Sequence, residues 1–139
     1  METVKSIQEL AELKQRIEFL EITMLKPRLT NLNYIPMLYD WFRSISVEIK
    51  YFHGRDTTGY KQVFLYCILM LYCPRAFSGN NMTKGIRQSL SLLFNVSPSH
   101  ISNMIKNLSF YYDRYIKFSS ECDAVLKQLE SKINENGLL

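Results

Sequence analysis

The side chains between residues 97 and 107 are the ones whose types and spacing suit recognition chemistry. Ser99, His100, Ser102, Asn103, Lys106 and Asn107 are slender hydrogen-bonding groups, and Ile101, Met104 and Ile105 recur among them at helical intervals. A helix here turns its apolar residues to a core and leaves the polar set outside. Covalent chemistry has less material to work with. His53 and His100 are the only histidines, and although His100 stands among serines, adjacent residues on a helix point apart and do not pair as nucleophile and base. His100 is read as an exposed contact residue. The chain carries no HExxH, no CxxC and no acidic cluster at ligand spacing, so no metal, cofactor, small-molecule substrate or enzymatic reaction is expected. The glycines of HGRDTTG, residues 53–59, lack the Gly-Lys-Ser/Thr ending of a phosphate loop.

Positioning the polar set requires a second helix and a tight turn. Ile86, Leu90, Leu93 and Phe94 give the preceding segment an apolar stripe, with the small Ser91 where crossing helices approach closely. Asn95 tolerates the left-handed conformation that ends a helix, Val96 is apolar at the corner, and Ser97-Pro98 supplies an N-cap followed by proline at the first helical position. Residues 83–107 therefore read as two short helices joined by a turn, with Thr83 as the candidate cap of the first.

On Leu90, Ser91, Phe94, Val96, Ser97, Ile101, Met104 and Ile105 this segment resembles the helix-turn-helix of transcriptional regulators and site-binding proteins from phages and mobile elements. The resemblance covers about 25 residues, from 84 to 106 with its flanks. Such proteins usually place glycine at the turn, where this chain has Asn95. The resemblance implies a double-stranded DNA partner, with the helix starting at Ser97 in the major groove and Asn103 set for bidentate contact with adenine. Ser97, Ser99, His100, Ser102, Lys106 and Asn107 would add base or phosphate contacts. Lys84, Arg87 and the helix N-termini would hold phosphates and fix the register. The alternative is a non-enzymatic phage structural or protein-interaction module whose helical hairpin never touches DNA.

Charge placement bears on that choice. The net charge is +4, and residues 74–118 hold six basic groups, Arg75, Lys84, Arg87, Lys106, Arg114 and Lys117, against the single acid Asp113. The surplus falls on the proposed helix-turn-helix, as a phosphate-facing surface requires.

The remainder supplies a scaffold. Residues 1–26 predict one amphipathic helix with Leu10, Leu13, Ile17, Leu20 and Met24 spaced like a short coiled-coil seam, open either to a second copy as a dimerisation element or to the chain's own core. Residues 27–139 predict a helical domain. Within it, Pro36 opens an aromatic helix running to about residue 51, and a glycine-containing loop at 53–59 follows. Residues 60–72 then give the most apolar helix, closed by Pro74. Gly79, Asn80 and Asn81 are turn formers, and a long helix from Pro98 to about Phe118 is expected to be anchored by Leu108, Phe110, Tyr111, Tyr112, Tyr115, Ile116 and Phe118. Ser120 to Asp123 reads as a capping box that starts a last helix, and residues 134–139 as a frayed end. Cys67, Cys73 and Cys122 are expected to be reduced and mostly buried, and the longest apolar run, 63–73, is too short to cross a bilayer. A cytoplasmic all-α bundle of five to six helices is the resulting expectation.

Overall fold

The apolar run in the middle of the sequence becomes the axis of the bundle. The structure, a computed structural model, describes residues 2–24, 26–49, 58–78 and 82–138. The expected loop residues 53–57, the turn formers 79–81 and the expected helix end at residue 51 lie outside the described residues. In chain order the helices are α1 (Glu2–Met24), α2 (Ile35–Ile49), α3 (Thr58–Tyr72), α4 (Ile86–Phe94), α5 (Pro98–Lys106), α6 (Leu108–Arg114) and α7 (Ile116–Glu135). Short 3-10 turns at Leu32–Tyr34 and Pro74–Ser78 precede α2 and follow α3. No strand occurs among the described residues, and the protein is an all-α bundle.

Because α3 is apolar around most of its circumference, it must be covered on several sides at once. It packs against α2, α5 and α7, and Val63, Phe64, Leu65, Cys67, Ile68, Leu69 and Leu71 are wholly buried. Each such aliphatic or aromatic side chain contributes roughly 1.5–3 kcal/mol of transfer free energy. One aromatic cluster joins α2, α3 and α4: Tyr39 lies 4.9 Å from Phe64 and 5.4 Å from Phe94 between ring centroids, and Phe42 lies 5.2 Å from Phe64. Phe94, the last residue of α4, is thereby fixed to the core.

The connector between α1 and α2 closes the far end of α3. The backbone N–H groups of Arg28 and Leu29 donate to the Leu71 carbonyl at 2.9 and 3.0 Å, and the Tyr72 hydroxyl donates to the Asn31 carbonyl at 2.7 Å. The Leu71 carbonyl, which the end of α3 would otherwise leave unsatisfied, is met this way. By contrast α1 buries none of its residues.

Three expectations are corrected. The long helix over 98–118 is instead cut twice, at Asn107 (φ −105°, ψ 6°) and at Tyr115, whose backbone is extended (φ −114°, ψ 106°). Neither break carries glycine or proline, which is why periodicity alone runs straight through them. The last helix starts at Ile116, not at a Ser120 capping box, and Glu121 and Cys122 are buried inside it. The two breaks also re-aim the expected anchors: Leu108 is buried, but Phe110, Tyr115 and Ile116 are exposed, Ile116 at 82%. Tyr112 alone among the tyrosines of this stretch stacks on the core side, 5.1 Å from the ring of Tyr66, and its hydroxyl donates to Asp123 at 2.8 Å.

Candidate nucleic-acid interface

α4 begins one residue after a glycine in the left-handed region. Gly85 has φ +95°, and a Cβ there would come within 2.7 Å of the Leu32 side chain. Glycine is favoured there by handedness, and a Cβ would in addition push the terminal methyl of Leu32 aside. Thr83 does not cap the helix through its side chain as expected. Its carbonyl accepts from the Ile86 N–H at 3.3 Å, and Lys84 sits in the resulting turn. Beside this helix start lies a concavity of about 270 Å³ lined by Met82, Thr83, Lys84, Gly85 and Arg87. Two cations and the positive end of a helix dipole thus border one space.

The turn after α4 is built from local hydrogen bonds. Asn95 adopts φ 54°, ψ 49°, and is the only non-glycine residue with positive φ among the described residues. The Val96 N–H donates to the Ser91 carbonyl at 3.1 Å, while the Ser91 hydroxyl donates back to the Val96 carbonyl. Ser91 therefore ties the turn to α4, a role beyond the close approach its small size predicts. Ser97 then caps α5, its hydroxyl oxygen accepting from the His100 N–H at 3.1 Å, with Pro98 at the first helical position.

α5 is anchored from below. Ile101 and Met104 are buried, Ile105 is half-buried, and the Gln62 side-chain amide of α3 donates to the Met104 carbonyl at 3.5 Å. Gln62 went unnoticed in the sequence; a polar residue inside the apolar run was the available signal. At 100° per residue the core-facing Ile101 and Met104 leave Ser99, Asn103 and Lys106 on the opposite side of α5, all three exposed. His100 and Asn107 are exposed on one flank. Ser102 is half-buried on the other, and its hydroxyl donates to the Pro98 carbonyl at 3.2 Å, leaving only lone pairs for a ligand. Asn107 occupies the junction between α5 and α6, where its carbonyl accepts from the Tyr111 N–H at 3.0 Å.

Lys84 and Arg87 are exposed at the start of α4, and Lys106 at the last turn of α5. Among the described residues none of the three is ion-paired. The arrangement offers a rigid polar helix face, a basic border and a capped N-terminus. Among the described residues no three His, Cys, Asp or Glu side chains are grouped to hold a metal ion, and no helix is long and apolar enough to cross a membrane. Comparison of the chain with protein-family models, with curated proteins and with solved structures gives no match.

Proposed function

We propose that this is a non-enzymatic DNA-binding protein whose α4–α5 pair acts as a helix-turn-helix, with α5 entering the major groove. The observation that carries the reading is the exposed Ser99–Asn103–Lys106 face of a helix held rigidly by the Ser97 cap, the Ser91–Val96 link and the Gln62 anchor. Asn103 presents a carbonyl oxygen and an amide together, the pair that matches adenine N6 and N7. Ser99, His100 and Lys106 flank it as further base or phosphate contacts, while Lys84, Arg87 and the N-terminus of α4 border a space suited to a backbone phosphate. Regulation of transcription at a specific site is the role that suits such a module, as in the phage and mobile-element regulators it resembles.

Fluorescence anisotropy with random-sequence duplex DNA at two salt concentrations tests this. Binding is expected to weaken steeply with salt, and Arg87→Ala and Lys106→Ala should each weaken it and lower the salt slope by about one. Asn103→Ala should spare this non-specific binding and act only on a selected site.

A second reading, a protein-interaction module, is favoured by a different observation: Leu92, Phe110, Tyr115 and Ile116 are exposed at 52–82%. Of these, Phe110, Tyr115 and Ile116 cluster at the α6–α7 junction, and clustered exposed apolar groups mark contact sites for other proteins. Absence of DNA binding even at low salt would move the function to that surface.

A further inference from the structure

We infer that α1 is a parallel, two-stranded coiled-coil element that joins two copies of this chain, whatever the helix-turn-helix binds. Most of a helix's stability in a protein comes from packing its amphipathic face and not from propensity alone. α1 has an apolar stripe that no residue of the chain covers fully: Leu10, Leu13, Ile17 and Met24 are exposed at 53–65% and Leu20 at 39%, and only Leu20 and Met24, at its C-terminal end, face the body across an open concavity lined also by Tyr66, Met70 and Phe77. These five residues alternate three and four apart, giving Leu10, Ile17 and Met24 the a positions and Leu13 and Leu20 the d positions of a heptad. β-branched Ile17 at a with leucine at both d positions favours two strands.

Apolar layers and charge together select a parallel second copy. In this register Glu9 and Arg16 occupy g, while Lys14 and Glu21 occupy e. A parallel second copy brings each g residue against the e residue five positions on in its partner. Glu9 then meets Lys14 and Arg16 meets Glu21, and the two-fold axis repeats both attractions. All five apolar layers pair with themselves. Of the antiparallel registers, stacking Leu13 on Ile17 keeps four layers but sets Lys14 near Lys14 and Arg16 near Arg16, and stacking Ile17 on Leu20 keeps four layers and pairs Lys14 with Glu21 twice, one layer and two attractions fewer than the parallel pairing. A second copy of α1, aligned parallel, is the occupant that the helix itself specifies.

Sedimentation equilibrium of the full chain at micromolar concentration tests the state. A dimer is expected, and a monomer or a trimer overturns the proposal. Ile17→Lys should give a monomer; because α1 buries nothing, the circular dichroism of the body remains as a folding control. Lys14→Glu should raise the dimer dissociation constant about tenfold, and adding Glu9→Lys should restore it. Leu10→Cys reports direction, since the native cysteines are buried. Mild oxidation should trap a covalent dimer across the parallel a layer, and a non-covalent dimer that never crosslinks there overturns the parallel arrangement.

Discussion

Two backbone positions set the geometry of the α4–α5 pair, and each has its own tolerance. Gly85 holds φ +95°, and a Cβ there would come within 2.7 Å of the terminal methyl of Leu32, so alanine meets the handedness penalty and must also displace that methyl. Gly85→Ala is expected to lower unfolding free energy by about 2 kcal/mol, read from the urea midpoint. At Asn95 the backbone is equally left-handed, but nothing comparable crowds it, and the residue is exposed. Asn95→Ala should cost roughly 1 kcal/mol, while Asn95→Gly should be near neutral, because glycine enters the conformation freely but adds entropy to the unfolded chain. Equal effects of the two substitutions would mean that the asparagine side chain, not its φ, shapes the turn. The same distinction explains how this turn works without glycine.

At the scale of the element, α5 depends on its first residue. Ser97→Ala removes the acceptor for the His100 N–H and should cost about 1 kcal/mol while fraying the first turn. Ser97→Asp keeps an acceptor there and complements the helix dipole, so thermal stability should hold or rise. If α5 meets DNA, that aspartate stands against phosphate and anisotropy should show weakened binding despite the intact fold. Loss of stability in Ser97→Asp would instead refute the cap. This start was readable in the sequence because serine, proline and the apolar period all agree on it. So was α3, whose apolar run allows no other place than the centre. The far end was not readable: Asn107 and Tyr115 break the backbone inside an apolar period that continues across them, and the N–H of Tyr115 still finds the Tyr111 carbonyl at 3.0 Å. Nothing local marks such a break; it follows from packing α6 and α7 against each other. The error then spread to side chains, since each break rotates the following residues and brought Phe110 and Ile116 to the surface. Gln62 and the second role of Ser91 stayed hidden for a related reason: both bond backbone carbonyls of other segments, which no periodicity reports.

Taken as a whole, the molecule concentrates its titratable burial around α3, and this sets its pH dependence. The Tyr66, Tyr72 and Tyr112 hydroxyls are all pushed above the ordinary phenol value of 10.0, chiefly by burial, with Asp123 adding to the effect at Tyr66 and Tyr112. Burial likewise raises the Cys67 and Cys122 thiols above 9.0. Each group therefore holds its proton more tightly folded than unfolded. Their contribution to stability is complete below the unfolded values and is lost as pH rises through them toward the folded values. The urea midpoint should stay flat with respect to these groups up to about pH 8.5 and then fall progressively above about pH 9 to 10. Tyr72→Phe removes one contributor and should shallow the alkaline slope, although it also forfeits the hydrogen bond to the Asn31 carbonyl and so lowers the neutral-pH midpoint. The two effects separate because one changes the slope and the other the plateau. A midpoint that stayed level to about pH 11 would show that these phenols and thiols titrate alike in both states. The burial of α3 between α2, α5 and α7, on which the placement of the α4–α5 pair rests, would then have to be redrawn.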